Sequence, residues 1–354
     1  MSTTGFYAGS FNPFTRGHME VAARALEHVD RLIIGVGVNP AKPAHAAGTD
    51  AIIGSIKNCV ESYRFSDIIR DAPGVRANLA AKYIEDPDII RVVEYTGSTV
   101  DAAYNMGCQY LVRGVRATGG DKVYEQNLET INQLLCDTKK YDLKNIIIST
   151  EVKDAHLSSS NARALAACGE FEALKSICYP CAVEHMATNY LRAKGLQPMP
   201  SDGYHNNTHV ACMINWINAA GGKNMDFAAS VHDAAPLPAL VEKHPDIANL
   251  ILATDHTGEC DIKCTWDDDA KLFHDADLSI LFSRHYGWYA YQVFCEYKDR
   301  FSIPEYANGR IQVLNKLLQT EYKTDYFKRF QADAIRNINW EIAYWRKRLT
   351  QCSR

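Results

Sequence analysis

The feature that most constrains the fold lies at the start of the chain. A short apolar run, Gly5–Ala8, enters a loop that has a glycine at each end, Gly9 and Gly17, and an amphipathic segment follows. A strand, a glycine-bearing turn and a helix N-terminus form a phosphate site, because backbone N–H groups and the positive end of the helix dipole converge there. His18, on the first turn of the predicted helix, would stand beside that phosphate. The opening stretch therefore predicts an enzyme that handles a nucleotide.

Further short apolar runs recur along the first half of the chain, with helix-length segments between them. Strands that alternate with helices predict an α/β, Rossmann-like, doubly wound parallel sheet. Ligands of such sheets bind at the carboxyl ends of the strands, so we expect the site in the loops after Ala8, Val38 and Val112. Helices are also predicted around 50–64 and 76–84. The later strands are predicted at Arg31–Val38, Ile90–Val93, Tyr110–Val112 and Asn145–Ile148.

The pattern changes in the second half of the chain. Residues 195–203 contain two glycines and two prolines without apolar periodicity, which is typical of a linker. Beyond them, residues 207–354 contain helix-length segments and almost no strand-like alternation. A chain of 354 residues is longer than a domain with a single hydrophobic core usually is. We therefore expect an α/β domain over 1–194, a linker over 195–203 and an all-α domain over 204–354.

Composition excludes several classes of protein. The net charge of −4 argues against a nucleic-acid binder, and no apolar run approaches the roughly 20 residues that span a bilayer. The first strand begins so close to Met1 that no signal peptide is expected. Eleven scattered cysteines indicate reduced thiols and a cytoplasmic protein, with the Cys178/Cys181 pair interpreted as structural.

Four passages of the first domain carry residues suited to a polyphosphate. They are the loop from Gly9 to His18, Lys42, the run from Arg113 to Arg116 with Glu125 after it, and the run from Ser158 to Arg163. Cationic side chains neutralise phosphate charge and hold the reacting phosphorus in line. Serines before a helix offer caps and hydroxyl donors. Each passage alone is common in loops and caps, but their combination in this order indicates one site.

Together these passages resemble the bacterial phosphopantetheine adenylyltransferases, within the nucleotidyltransferases that carry a (His/Thr)-x-Gly-His motif. The motif here is Thr15-Arg16-Gly17-His18, and the resemblance covers roughly residues 3–190. The resemblance implies transfer of an adenylyl group from ATP to 4′-phosphopantetheine, with Mg²⁺, giving dephospho-coenzyme A and pyrophosphate. Arg113-Gly114-Val115-Arg116-Ala117 with the downstream Tyr124-Glu125 favours this acceptor over nicotinate mononucleotide. A homo-oligomer is also expected from the resemblance.

The resemblance also implies roles for individual residues. Ser10, Lys42 and Arg113 would bind the acceptor phosphate, and His18 with Lys42 would stabilise the transition state. Two departures bear on the acceptor: Asn12 stands where the family usually has Asp, and the segment after Lys42 is longer than usual. The residues implied to hold ATP or substrate are Gly9, Ser10, Phe11, His18, Lys42, Arg113, Gly114, Val115, Arg116, Glu125, Ser158, Ser159, Ser160 and Arg163.

The second half carries a separate set of metal-ligating residues. His205 and His209 are four residues apart and share one face of a helix start, and His232-Asp233 and Asp277 follow in order. Such a mixed set of nitrogen and oxygen donors suits one or two divalent ions that keep open positions for water. A metal-bound hydroxide could then attack phosphorus. The ordered set resembles the HD superfamily of metal-dependent phosphohydrolases.

That second resemblance implies that His209, His232, Asp233 and Asp277 are the metal ligands. His205 would protonate the leaving oxygen, while Asp255 and Asp275 would support the ligands. The ion could be Mg²⁺, Mn²⁺, Zn²⁺, Fe²⁺ or Ni²⁺.

Three hypotheses for the whole chain follow from the two resemblances. The first is a bifunctional adenylyltransferase and phosphohydrolase. The second joins a nicotinate or nicotinamide mononucleotide adenylyltransferase to a hydrolase of dinucleotide polyphosphates. The third is an adenylyltransferase whose HD domain senses nucleotides without hydrolysing them.

Overall fold

A computed structural model describes residues 2–38, 48–61, 86–116, 121–150, 157–199, 203–256 and 262–352. The chain divides into two compact units. The first contains residues 1–165 and 173–185, and the second contains residues 166–172 and 186–354. Among the described helices, none is both long and apolar enough to cross a bilayer.

The first unit is built on a five-stranded sheet in which every neighbouring pair is parallel. The strand order is β3-β2-β1-β4-β5, so the chain winds outward from β1 in one direction and then continues from β4 in the other. This order confirms the predicted Rossmann-like fold and places the switch point between β1 and β4. The strands are β1 (Thr4–Gly9), β2 (Arg31–Gly37), β3 (Ile90–Tyr95), β4 (Tyr110–Arg116) and β5 (Lys144–Thr150).

Helices connect these strands and continue beyond the last one. The segment predicted as a helix around 50–64 forms the second helix, whereas the one predicted at 76–84 lies outside the described residues. A short 3₁₀ helix, Pro87–Ile89, precedes β3. The helices up to residue 193 are α1 (Arg16–Ala25), α2 (Gly48–Glu61), α3 (Thr99–Asn105), α4 (Asp121–Lys139), α5 (Ser159–Ala167), α6 (Phe171–Leu174) and α7 (Pro180–Ala193).

The described part of the remaining chain is built from helices joined by turns and loops, as its pattern predicted. Between α7 and the next helix, Leu196 and Met199 pack against the helical core. A 3₁₀ helix, Leu278–Phe282, also belongs to this part. The further helices are α8 (Asn207–Ala219), α9 (Asp226–Val231), α10 (Leu237–Lys243), α11 (Ala248–Leu252), α12 (Asp268–Asp277), α13 (Tyr286–Tyr297), α14 (Ile303–Leu317), α15 (Asp325–Lys328) and α16 (Gln331–Cys352).

A buried ion pair joins three helices in the core of this helical unit. The Arg310 guanidinium on α14 donates to both carboxylate oxygens of Glu341 on α16, at 2.8 and 3.1 Å. The same carboxylate accepts from Tyr286 Oη on α13 at 2.6 Å and from Trp345 Nε1 at 3.1 Å. Glu341 is fully buried. Because all its partners are donors, the charge is satisfied within an apolar surround, and the pair fixes how the helices pack.

Candidate active sites

The first site is built around the N-terminus of α1. Thr15 is the N-cap, and its buried hydroxyl accepts a hydrogen bond from the His18 backbone N–H at 3.4 Å. In return, His18 Nδ1 accepts from the Thr15 backbone N–H at 2.9 Å, which completes a reciprocal capping box. A backbone N–H can only donate, so Nδ1 is the unprotonated nitrogen and Nε2 carries the ring hydrogen. His18 is thereby oriented as a hydrogen-bond donor at a helix N-terminus.

The loop between β1 and α1 is held by a small aromatic cluster. Phe11 has a φ of +44°, in the left-handed region, and its ring lies 5.2 Å from the rings of both Tyr7 and His18. A Cβ on Gly9 would lie 2.8 Å from the Phe11 ring, so a larger residue there would displace the ring. Strained backbone of this kind persists where the surrounding contacts enforce it, often at functional sites. Gly9 and Phe11 therefore shape the loop that leads to His18.

The run from Ser158 to Arg163 lies against this loop. Ser158 Oγ caps α5 by accepting from the Asn161 N–H at 3.0 Å, and Ser159 Oγ donates to the Pro13 carbonyl at 3.0 Å. Arg163 Nη1 donates to the Asn12 carbonyl at 2.6 Å. Thus two passages separated by about 150 residues of sequence meet, as expected from the sequence. The N-termini of α1 and α5 therefore lie side by side, and this arrangement favours the binding of an anion.

A close approach between α1 and the segment before α5 sets the spacing of these two passages. Thr15 Oγ1 donates to the Leu157 carbonyl at 3.2 Å. A Cβ on Gly17 would lie only 2.9 Å from that same carbonyl oxygen. Glycine at position 17 is therefore what permits the contact.

The third predicted passage lies at the carboxyl end of β4, beside β1 at the switch point. Arg113, Gly114 and Val115 are half-buried there. A Cβ on Gly114 would lie 2.6 Å from Val21 Cγ2, so glycine lets α1 pack closely on β4. Of the remaining predicted residues, Lys42 lies outside the described residues, as do the side chains of Arg116 and Glu125.

Arg16 is a residue of this site that the sequence reasoning did not single out. Its guanidinium is buried, donates to the Lys175 carbonyl at 3.1 and 3.3 Å, and lies 5.1 Å above the Tyr179 ring. Its backbone N–H donates to the Ile177 carbonyl at 2.8 Å. Arg16 therefore ties the first turn of α1 to the segment before α7.

A parallel sheet of this order, with a glycine loop and a helix N-terminus at its switch point, defines a Rossmann-like α/β domain with a phosphate site. A family model described as cytidylyltransferase-like matches residues 6–51. The phosphopantetheine adenylyltransferase of Porphyromonas gingivalis is 30% identical over 163 residues, which are 46% of this chain and 86% of that protein. The enzyme of the same name from Rhizobium etli is 30% identical over 167 residues, 47% of this chain and 87% of that protein.

The chain belongs, through its N-terminal half, to the phosphopantetheine adenylyltransferase family. A solved structure, Plasmodium falciparum nicotinic acid mononucleotide adenylyltransferase complexed with APC, is also similar, with a TM-score of 0.28 and 14% identity. That similarity covers 55% of this chain and 97% of the solved chain.

The second site lies among the helices of the C-terminal half. Donor atoms of His209 on α8, and of His232 and Asp233 just after α9, lie within 4.8 Å of one another. The two imidazole Nε2 atoms are 3.2 Å apart. Asp233 Oδ2 lies 3.5 and 2.9 Å from them, and Asp277 Oδ1 lies 3.0 and 3.3 Å from them. The structure thus brings together all four residues that the sequence indicated as ligands.

These distances and partners fit a divalent metal ion. Donor atoms about 2.1 Å from one ion, at angles of about 90–110°, lie about 3.0–3.4 Å apart. His232 Nδ1 donates to the Ala229 carbonyl at 2.9 Å, which directs Nε2 toward the cluster. His209 Nδ1 forms a hydrogen bond with Tyr204 Oη, at 2.8 Å. Asp233 Oδ2 is buried without a well-oriented hydrogen bond, as expected of an oxygen that coordinates a cation.

The pKa shifts of the clustered side chains also fit a bound cation. Burial disfavours the imidazolium form of His232, but the Asp233 and Asp277 carboxylates together outweigh burial and raise the pKa of His232 well above its ordinary value. Burial likewise acts against the Asp277 anion, yet hydrogen bonds from three histidines hold the pKa of Asp277 well below its ordinary value. The four groups together therefore favour a positive charge at their centre.

Other predicted residues of the second site lie around this cluster. His205 is largely exposed, its ring centroid lies 6.2 Å from that of His209, and its Nδ1 lies 3.9 Å from Glu296 Oε1. Asp255 follows α11, where its backbone N–H donates to Leu252.

Asp275, predicted as a supporting residue, is fully buried and contacts both the neighbouring His274 ring, at 3.0 Å, and a turn of the chain. Its carboxylate accepts hydrogen bonds from the backbone N–H groups of Lys323 and Thr324, at 2.7–3.0 Å. It therefore fixes the turn before α15.

His256 belongs to the site but was missed by the sequence reasoning. Its Nε2 lies 2.8 Å from Asp277 Oδ2, the carboxylate oxygen that faces away from the other two imidazoles. The sequence signal was its position directly after Asp255, in a passage already singled out. His256 orients the Asp277 carboxylate, as supporting partners of metal ligands do.

Proposed function

We propose that the N-terminal half transfers an adenylyl group from ATP to 4′-phosphopantetheine. The observation that carries this proposal is the reciprocal cap between Thr15 and His18, placed at the switch point beside the N-terminus of α5. Membership of the phosphopantetheine adenylyltransferase family supports the choice of acceptor. Within this proposal, Ser10 and Arg113 bind the acceptor phosphate together with Lys42.

In the proposed reaction, the protein aligns the two reacting phosphates and stabilises the negative charge that develops on them. A phosphate oxygen of the acceptor attacks the α-phosphorus of ATP, and pyrophosphate leaves on the opposite side. His18 donates from Nε2 to the phosphate oxygens that gain charge, and the N–H groups at the start of α1 act with it. Arg163 and the serines at the start of α5 hold the nucleotide phosphates. Mg²⁺ bound to the triphosphate would neutralise further charge.

Pyrophosphate release tests this function. Purified full-length protein is given ATP and Mg²⁺ with either 4′-phosphopantetheine or nicotinate mononucleotide. We expect release with phosphopantetheine and its loss in His18→Asn, with no change in His28→Asn, a matched exposed histidine. Release with the mononucleotide alone would instead establish the second hypothesis, a mononucleotide adenylyltransferase.

We also propose that the helical half is a metal-dependent phosphohydrolase. Convergence of His209, His232, Asp233 and Asp277 on one point supports this proposal. The four side chains would hold the metal, with Tyr204 and His256 orienting two of them. A bound divalent ion would supply a hydroxide near neutral pH and would polarise the phosphoryl group. His205, exposed at the edge of the cluster, would protonate the leaving oxygen.

Metal content and hydrolysis test the second function. Metal bound to the purified protein is measured by mass spectrometry in wild type, His232→Ala and Asp277→Asn. The control is His244→Ala, whose ring packs on Phe227. We expect both site variants to lose metal and the control to keep it; unchanged metal in both would remove the site. Hydrolysis of bis-p-nitrophenyl phosphate with Mn²⁺ supports a catalyst, whereas nucleotide binding without hydrolysis of a nucleotide panel would establish a sensor.

A further inference from the structure

Two cysteines that neither reaction uses lie close together in the first unit. Cys59 on α2 is buried, and Cys181, at the second position of α7, is partly exposed. Their sulfur atoms are 3.1 Å apart, although 122 residues separate them in sequence. Neither is in a disulfide. Sulfur atoms at this distance need to approach by about 1 Å to reach the bond length of a disulfide, about 2.05 Å.

The surroundings give the two sulfurs different chemistry. A hydrogen bond from the Cys59 thiol, together with one from Ser55 Oγ, lowers the pKa of Cys181. Burial raises the pKa of Cys59 well above its ordinary value. Cys181 also stands at a helix N-terminus, which stabilises a thiolate. Cys181 is therefore the nucleophile of the pair, and Cys59 is the thiol that can resolve an oxidised Cys181.

We propose that Cys59 and Cys181 form a reversible disulfide when the protein meets a peroxide. The Cys181 thiolate attacks one peroxide oxygen, breaks the O–O bond and becomes a sulfenic acid, with hydroxide or alkoxide as the leaving group. Cys59 sulfur then attacks the Cys181 sulfur and displaces hydroxide, which takes up the Cys59 proton and leaves as water. The two sulfurs together lose two electrons, and the peroxide is reduced by two.

The cross-link would act on the phosphate site through the segment before α7. Cys178 forms an antiparallel bridge with Thr15, and the Ile177 carbonyl accepts from the Arg16 N–H at 2.8 Å. The segment that ends at Cys181 therefore lies along the first turn of α1, where His18 is oriented. Joining Cys181 to α2 displaces this segment by a fraction of an ångström. Small displacements of the groups that position a reacting phosphate weaken substrate binding and lower the reaction rate. We expect oxidation to raise the KM for ATP, an expectation that rests on the proposed adenylyl transfer.

Peptide mapping of the oxidised full-length protein tests the disulfide without reference to activity. Protein treated with hydrogen peroxide is alkylated, digested and analysed by fragmentation mass spectrometry, with a dithiothreitol-treated sample alongside. We expect Cys59 linked to Cys181, and the link lost with dithiothreitol and in Cys59→Ser and Cys181→Ser. Cys168→Ser, which removes an exposed cysteine, should keep the link. Recovery of Cys59 as the alkylated thiol, or linked to another cysteine, would overturn the proposal.

Kinetics then test the coupling to the phosphate site. The KM for ATP in pyrophosphate release is measured for the oxidised and reduced wild type and for Cys59→Ser. We expect a several-fold rise on oxidation in wild type only. A complete cross-link with an unchanged KM would overturn the coupling. If the reduced protein has no adenylyl transfer, the proposed function fails, while the peptide map still decides the disulfide.

Discussion

Replacing Gly17 with alanine adds one methyl group at the junction of the two phosphate-binding passages. The new Cβ would lie 2.9 Å from the Leu157 carbonyl oxygen and 3.2 Å from Leu157 Cβ. An ordinary contact between such atoms is about 3.4 Å or more, so α1 and the segment before α5 must separate by about half an ångström. The Thr15 hydroxyl also donates to this carbonyl, so the separation weakens that hydrogen bond. The substitution therefore moves the start of α5 away from His18.

The expected cost combines overpacking with a weakened hydrogen bond. Insertion of a methyl group into a tightly packed contact costs about 1–3 kcal/mol of unfolding free energy. The same displacement moves Ser159 and Arg163 relative to His18, so we expect kcat/KM for ATP to fall about tenfold or more, since 1.4 kcal/mol corresponds to tenfold.

Urea denaturation and pyrophosphate release measure the two effects. Gly54→Ala is the matched control, because Gly54 lies inside α2 and its Cβ would meet nothing within 4 Å. That control should be stabilised by about 0.5–1 kcal/mol, as for an unhindered helical glycine, and should keep full activity. If Gly17→Ala were as stable and as active as Gly54→Ala, the inferred contact would not set the geometry of the site.

Two further substitutions test charge pairs outside the active sites. Arg310→Met leaves the buried Glu341 carboxylate without its cation, so urea denaturation should show a loss of about 3–5 kcal/mol. The double variant with Glu341→Leu should restore only part of this loss, because the Tyr286 hydroxyl and Trp345 Nε1 lose their acceptor. Hydrogen bonds from Lys139 hold the pKa of Asp101 below its ordinary value of 3.8. The Lys139–Asp101 pair therefore stabilises the folded protein above pH 3.8. This stabilisation is lost as the pH falls through the lower pKa that Asp101 has in the folded protein. Lys139→Met should therefore be less stable than wild type at pH 7, with a difference that disappears in acid; a difference that persists at low pH would contradict the assignment.

Local patterns in the sequence were sufficient for the sheet and for the first turn of α1. The short apolar runs predicted all five strands, and their alternation with helices predicted the parallel sheet. The reciprocal cap needs only Thr15 and His18, three residues apart, so its residues lay within reach of sequence reasoning. The convergence of His209, His232, Asp233 and Asp277 could be expected for a similar reason, because these residues occur in a recognisable order.

Features that depend on distant contacts could not be predicted from these patterns. Arg16 looks like an exposed basic residue, yet its acceptor at Lys175 lies 159 residues away. His256 contacts Asp277 only because two helices bring them together. The sulfur pair of Cys59 and Cys181 is separated by most of the first unit, so the Cys178/Cys181 spacing concealed the partner that matters.

We propose that one chain carries two reaction centres with separate residues. A comparison of wild type, His18→Asn and His232→Asn in two assays of the full-length protein tests this proposal. The assays are pyrophosphate release with 4′-phosphopantetheine, and hydrolysis of bis-p-nitrophenyl phosphate with Mn²⁺. We predict that His18→Asn lowers only the first activity, by about 10²–10³-fold, and that His232→Asn abolishes only the second. Loss of both activities in either variant, or of neither activity in both variants, would contradict the presence of two separate reaction centres.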